Sequence, residues 1–137
     1  MFPREEVLPS RRRLIPSAPA EEEEEVLGDV PALHNRDFDE RGNLKKGFPK
    51  AVIVFFAPWC GHCRHFAPTF AEFAASASGP KLLVGAVDGT QETDLLRRIP
   101  YKIEGYPTVI GYRNGRYKQV FEGPRTLEAL QSFASSL

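Results

Sequence analysis

The sequence predicts an α/β domain with a central mixed β-sheet and helices on both faces. Two continuous apolar runs, residues 51–56 and 82–87, are typical of strands covered on both sides. A helical pattern separates them, and further along Asn114-Gly115 joins two short strand patterns into a predicted hairpin. Parallel strands need a crossover helix and hairpin strands do not, so the combination indicates a sheet of mixed direction.

The elements can be placed in chain order from hydrophobic period and breaker residues. Proline at position 68 removes one backbone donor inside the longest predicted helix. The final helix is amphipathic, with Leu127, Leu130 and Phe133 predicted to face inward. The expected elements are a strand at 30–34, a helix at 37–43, a strand at 51–56, a helix at 60–76, a strand at 81–88, a helix at 90–98, strands at 108–112 and 117–121, and a helix at 126–136.

The chain divides into a tail, residues 1–29, and one domain, residues 30–137. The tail combines four prolines, three consecutive arginines and five consecutive glutamates, a composition typical of disorder, and it can be a solvated linker or a charged docking arm. The domain carries 14 basic and 10 acidic residues, too mild an excess to favour nucleic acid. No run approaches the ~18 apolar residues of a membrane span. We expect a monomer without nucleic-acid or membrane partners.

Cys60 and Cys63, the only cysteines, are separated by two residues at the start of the longest predicted helix. A bridge across so short a loop removes little entropy from the unfolded chain, so the pair is suited to redox chemistry rather than to stapling the fold. The helix N-terminus should stabilise a thiolate at Cys60, which makes it the expected nucleophile. Cys63, one turn deeper, is the expected resolving thiol.

A metal site is the alternative use of these residues, because His62 and His65 lie beside the two cysteines. Side chains at neighbouring positions of one helix cannot all converge on one ion, and structural zinc normally takes ligands from a second segment. Only His34 is left to help. We therefore expect no metal, and no cofactor beyond a redox-active Cys60–Cys63 disulfide.

Three separated motifs follow one another in the second part of the chain. They are Phe56-Ala57-Pro58-Trp59-Cys60-Gly61-His62-Cys63, then Pro68, then Gly105-Tyr106-Pro107-Thr108. In this order and spacing they resemble the thioredoxin superfamily over residues 30–137. The Cys-Gly-His-Cys sequence is similar to the catalytic domains of protein disulfide isomerases. The resemblance implies a thioredoxin fold and thiol–disulfide exchange on protein substrates, with oxidase or isomerase character.

The resemblance also implies roles for residues around the cysteines. Pro107 would follow a cis peptide bond and hold an extended substrate, with Trp59 and Tyr106 as an apolar rim. His62 would tune the redox potential by stabilising the Cys60 thiolate. Arg125 matches an arginine that can help Cys63 ionise, although it can equally be a solvated residue at a helix start.

Two residues depart from the isomerase pattern. The family places a buried acid where this chain has Val54, and a lysine that pairs with it where this chain has Ala86. Losing both is physically coherent, because either charge alone would be buried and unpaired. The usual proton acceptor for Cys63 is then missing, and full catalytic cycles are expected to be slower.

Three functions remain open from sequence. The first is an isomerase-type oxidoreductase that acts on protein thiols and on unfolded or extended polypeptides, with glutathione or a redox protein as partner. The second is a binding or chaperone module with weak redox turnover, and the third is a thioredoxin-type reductant. The motif suggests the lumen of the endoplasmic reticulum. The N-terminus has no pattern of a secretion signal and the C-terminus no retention tetrapeptide, so a cytoplasmic or particle-associated location is the alternative and the compartment stays open.

Overall fold

The computed structural model describes residues 27–137 and contains one four-stranded sheet. The sheet order is β2-β1-β3-β4, with β1 parallel to β2 and antiparallel to β3, and β3 antiparallel to β4. The predicted mixed sheet is therefore confirmed. Most of the predicted tail, residues 1–26, lies outside the described residues. The strands are β1 (Lys50–Phe56), β2 (Leu82–Asp88), β3 (Thr108–Arg113) and β4 (Arg116–Val120).

Among the described residues, three α-helices cover the sheet: α1 (Gly61–Ala77), α2 (Thr93–Arg98) and α3 (Leu127–Ser136). Helices α1 and α3 pack on one face, where Phe70 and Phe73 of α1 share a core with Leu130 and Phe133 of α3. Helix α2 covers the opposite face through Leu95. Helices on both faces are thus confirmed. No helix within residues 27–137 is long and apolar enough to cross a membrane.

Strand β1 lies at the centre of the sheet and explains its apolar run. Val52, Val54 and Phe56 point into the core beneath α1 and α3. The alternate residues, among them Ile53 and Phe55, point into the core beneath α2. Alternation of side chains along a strand requires apolar residues at every position when both faces are covered. The end of this strand delivers the chain to Cys60.

The strand expected at residues 30–34 is reduced to a single parallel bridge between Ala32 and Ala86. The amide of Leu33 donates to the Ala86 carbonyl at 2.8 Å, and the Ala86 amide donates to the Pro31 carbonyl at 2.9 Å. Pro31 has no N–H, so the ladder cannot continue past it. The predicted strand is therefore shortened to an edge contact beside β2.

The prediction of a helix at residues 37–43 is wrong. One turn of 3-10 helix occupies Asn35–Asp37 instead, and Phe38 is already extended. The carboxylate of Asp39 accepts hydrogen bonds from the amides of Arg41 and Asn43, both at 2.9 Å. Such local bonds compete with helix formation, and Gly42 at a φ of +79° completes a turn.

The remaining boundaries agree with expectation, with one late start. The helix predicted from residue 90 begins at Thr93, because the carboxylate of Asp88 accepts from both the amide and the hydroxyl of Thr90 and makes a turn there. The hairpin turn is confirmed, with positive φ at Asn114 and Gly115. The side chain of Thr126 caps α3 by accepting from the Ala129 amide at 3.1 Å.

Candidate active site

Cys60 and Cys63 lie where β1 passes into α1. The Cys60 amide donates to the Ala57 carbonyl at 3.0 Å, which closes a tight turn after the strand. Cys60 is the N-cap residue of α1 and is half-buried, whereas Cys63 is only 4% exposed. Both thiols are free. The arrangement gives one accessible sulfur and one protected sulfur a single helical turn apart.

The two thiols differ in acidity. Burial alone would raise the pKa of Cys60, but hydrogen bonds from the Cys63 amide, the Cys63 thiol and the His62 amide outweigh it, and the pKa is lowered. Burial raises the pKa of Cys63 to about 12, and the hydrogen bond with Cys60 adds to the rise. Cys60 is therefore the thiol that ionises first, as expected at a helix N-terminus.

The loop before β3 faces Cys60. The Tyr106–Pro107 peptide bond is cis, as predicted. The Cys60 thiol donates to the backbone carbonyl of Tyr106 with a distance of 3.5 Å. The hydroxyl of Thr108 donates to the Gly105 carbonyl at 2.8 Å, which ties the two ends of this loop together. Because β3 is the antiparallel neighbour of β1, the start of β3 and the end of β1 meet at one edge of the sheet.

Two aromatic side chains border the cysteines. Trp59 is 72% exposed, the more exposed of the two large apolar side chains that stand out in the described part of the chain. Its ring lies 6.4 Å from that of Tyr106 between centroids, at an interplanar angle of 81°. This edge-to-face pair is a favourable aromatic geometry. We call Trp59 and Tyr106 together the aromatic rim.

His62 and Arg125, the two basic residues predicted to act on the cysteines, do so through different groups. His62 is exposed in the first turn of α1, and it is its backbone amide that lowers the pKa of Cys60. Arg125 is exposed just before α3, and its positive charge lowers the pKa of both Cys60 and Cys63. The structure thus brings all seven predicted site residues to one end of the sheet.

A small apolar cavity lies beneath Cys63, and we call it the Cys63 cavity. Its volume is about 10 Å³, at or below the minimum that holds one ordered water. Cys63 supplies the only polar side-chain atom of the lining residues that the structure describes. The lining residues are Leu27, Val54, Phe56, Cys63, Phe66, Ala67, Phe70 and Pro107.

Leu27 and Arg64 support the site without a sequence signal that predicts it. Leu27 lies within the predicted tail, yet it is 4% exposed and packs into the core that contains Cys63. A single leucine beside a charged run gives no periodic signal. Arg64 donates from its guanidinium to the Pro58 carbonyl at 3.1 Å and so ties α1 to the preceding turn. The bonded residues, Arg64 and Pro58, are six positions apart, a spacing that no helix or strand pattern predicts as a contact.

No group of three or more histidine, cysteine or acidic side chains in residues 27–137 is arranged to hold a metal ion. The candidate metal ligands on α1 do not face one point, because Cys63 is buried under the helix while His62 and His65 are exposed. His34 is bound elsewhere, with its Nδ1 atom 2.8 Å from a carboxylate oxygen of Glu92.

The chain is similar to known proteins over most of its length. The family model described as Thioredoxin matches residues 29–136. Protein disulfide-isomerase tigA of Aspergillus niger is 40% identical over 114 residues, which cover 80% of this chain and 30% of that protein. Protein disulfide isomerase-like 1-1 of Arabidopsis thaliana is 33% identical over 115 residues, or 82% of this chain and 22% of that protein.

A solved structure gives the same result. The J-Trx1 fragment of ERdj5 superposes with a TM-score of 0.66 at 28% identity, covering 82% of this chain and 51% of that one. The chain spans less than a third of the two curated relatives named above. Because the family match extends over most of the sequence and the sheet order, helices and cis-proline loop agree with it, this chain belongs to the thioredoxin family.

Proposed function

We propose that this chain catalyses thiol–disulfide exchange on protein substrates, with the oxidase or isomerase character of its relatives. The observation that carries the proposal is the contrast between the cysteines. Cys60 is accessible and has a lowered pKa, whereas Cys63 is buried and stays protonated. A site of this kind has one sulfur ready to attack and one held back.

In the reductive direction, the Cys60 thiolate attacks one sulfur of a substrate disulfide. A mixed disulfide forms, and the second substrate sulfur leaves as a thiolate that takes up a proton. Cys63 then gives its proton to solvent and attacks the Cys60 sulfur, which forms the Cys60–Cys63 disulfide and releases the first substrate sulfur as a thiolate that takes up a proton. Two electrons pass to the substrate, and the reverse sequence oxidises a substrate dithiol.

Isomerisation begins with the same first step and can be completed without Cys63. The substrate thiolate released by Cys60 attacks another disulfide of the same substrate, and a substrate thiolate finally displaces Cys60. Cys63 serves as the escape route when this rearrangement stalls. After such an escape, or after a substrate has been reduced, glutathione or a reduced redox protein would return the Cys60–Cys63 disulfide to the dithiol. After a substrate has been oxidised, oxidised glutathione or an oxidising redox protein would return the dithiol to the disulfide.

The surrounding residues would bind the substrate and tune the sulfurs. The aromatic rim offers apolar surface to an unfolded chain, and the loop at Pro107 lies close enough to Cys60 to present backbone groups to an extended peptide. His62 would stabilise the Cys60 thiolate further when its ring is protonated. Arg125 would help Cys63 ionise, since its charge acts on both thiols.

Refolding of a protein with scrambled disulfides tests the proposal. Cys60→Ser should reduce refolding to the uncatalysed rate, because no mixed disulfide can form. Cys63→Ser should keep part of the isomerisation activity and accumulate mixed disulfides with substrate. If both variants refold the substrate as fast as the unmodified protein, the cysteines are not the reactive groups and the proposal is wrong.

The Cys63 cavity favours a second candidate, a binding module that holds substrates but releases them slowly. Its lining residues within 27–137 offer Cys63 no carboxylate, and its volume leaves little room for a relay water. The lifetime of a mixed disulfide formed at Cys60 separates the two candidates. A reduction potential near −180 mV would favour the isomerase, and one near ~−270 mV would favour a thioredoxin-type reductant.

A further inference from the structure

Gly89 lies directly beneath the ring of Tyr106. A Cβ atom added at Gly89 would lie 2.3 Å from the Tyr106 hydroxyl oxygen and 2.7 Å from two carbons of its ring. Gly89 is not among the glycines with positive φ, so its backbone does not require glycine. The missing side chain at this position therefore provides space, and the phenol ring fills that space.

The backbone at Gly89 cannot easily move aside. Its amide donates to the Phe56 carbonyl at 2.8 Å, which fixes it to the end of β1, four residues before Cys60. The preceding residue, Asp88, is held by the two hydrogen bonds from Thr90. A methyl group at Gly89 would therefore displace the Tyr106 ring rather than the strand end.

The neighbouring Asp88 affects the acidity of the Tyr106 phenol. This carboxylate is 3% exposed, and its second oxygen, Oδ2, has no hydrogen-bond partner among the residues described. Burial and the charge of Asp88 together raise the pKa of Tyr106, so the phenol keeps its proton. No hydrogen bond joins the Tyr106 hydroxyl to Oδ2, so the position of the ring is defined by its packing against Gly89.

We propose that Gly89 is a specificity-determining position. The space above its Cα atom fixes where the Tyr106 ring packs, and this sets the geometry of the aromatic rim. The inference rests on the proposed exchange reaction. In this position the Tyr106 ring forms an edge-to-face pair with Trp59, and the Tyr106 carbonyl accepts a hydrogen bond from the Cys60 thiol. Moving the ring would disturb the surface that a peptide meets while leaving the two sulfurs in place.

The test compares Gly89→Ala with Gly79→Ala, a glycine whose added Cβ would meet no atom within 4 Å. Two probes release coloured thionitrobenzoate on exchange. One is a short peptide whose cysteine is disulfide-bonded to thionitrobenzoate, and the other is the small reagent dithiobis(nitrobenzoate). Gly89→Ala should slow exchange with the peptide about 2- to 10-fold, the range expected for one aromatic contact, and leave the small reagent within about 1.5-fold. Gly79→Ala should match the unmodified protein with both probes.

Trp59 is the only tryptophan, so its fluorescence reports the rim without any chemistry. Gly89→Ala should shift its emission, and Gly79→Ala should not. In a Tyr106→Ser background the ring is absent, so adding Gly89→Ala should change neither emission nor peptide exchange further. The double variant has no clash between the added methyl group and the ring. If Gly89→Ala alone fails to fold and the double variant folds, that result also supports the contact.

Three results would overturn the proposal. They are unchanged peptide exchange in Gly89→Ala, an equal loss with both probes, or an undiminished loss in the Tyr106→Ser background. Failure of the exchange reaction itself is recognised separately, because Cys60→Ser would then react with the peptide as fast as the unmodified protein.

Discussion

Val54 of β1 and Ala86 of β2 are partners in the parallel register and are both buried beneath the redox pair. Val54 also lines the Cys63 cavity. Paired residues of neighbouring strands point to the same face, so a charge placed at one position would meet a charge placed at the other. Neither of these two apolar side chains can accept a proton from Cys63, unlike a carboxylate at the same position.

Installing an ion pair at these positions should accelerate the second half of the reaction. In the Val54→Glu/Ala86→Lys variant, the carboxylate can accept the Cys63 proton, and we expect mixed disulfides at Cys60 to resolve about 10-fold faster or more. The decay of a preformed mixed disulfide, followed after rapid mixing, measures this step. An unchanged decay rate in a folded double variant would show that proton transfer does not limit resolution.

Each single substitution is the matched control for that experiment. Val54→Glu or Ala86→Lys alone buries an uncompensated charge and should lower the free energy of unfolding by about 3–5 kcal/mol. The double variant should recover part of this loss. Urea denaturation gives the comparison, and additive losses in the double variant would contradict the register that pairs the two side chains.

The two cysteines should label in a fixed order and with different pH profiles. Cys60 should react first with iodoacetamide at neutral pH, because its lowered pKa leaves more thiolate, and its rate should level off once the pH exceeds that pKa. The pKa of Cys63, about 12, predicts a rate that still rises throughout the alkaline range. Mass spectrometry of the labelled peptides distinguishes the two sites. Faster labelling of Cys63 at neutral pH would contradict the assignment.

Removing the charge of Arg125 should raise the pKa of Cys60, since this charge lowers it in the intact protein. For Arg125→Gln we expect exchange at neutral pH to slow about 1.5- to 5-fold, the range of an exposed charge interaction. Arg125→Lys keeps the charge and serves as the control. The effect should shrink at high salt, where exposed charges are screened. Equal rates for the Gln and Lys variants at low salt would exclude an electrostatic role.

Leu27 should matter both for stability and for protection of Cys63. Leu27→Ala removes a buried side chain and enlarges the Cys63 cavity, so we expect a loss of about 2–5 kcal/mol in the free energy of unfolding. Alkylation of Cys63 should become faster in the same variant. Leu27→Met conserves volume and should cost less than about 1.5 kcal/mol. An unchanged urea midpoint in Leu27→Ala would show that this contact does not stabilise the domain.

The central elements of the fold were predictable from sequence because their signals are local and strong. The apolar run of β1, the Asn114-Gly115 turn and the period of α3 each specify their own conformation. The N-terminal elements were not predictable to the same degree. There Pro31 limits strand pairing and the Asp39 carboxylate captures nearby amides, so side-chain hydrogen bonds override the helical pattern.

The sequence by itself determined the reactive pair, since Cys60 and Cys63 lie at the start of one helix and need no distant partner to define their spacing. It also determined that position 54 carries no acid. Only the tertiary structure decided what surrounds them, namely Leu27 over the Cys63 cavity, the Tyr106 carbonyl at the Cys60 thiol, and Gly89 beneath the Tyr106 ring. The physical reason is that these contacts join segments far apart in the chain, and their geometry is set by sheet register and packing rather than by local conformational preference.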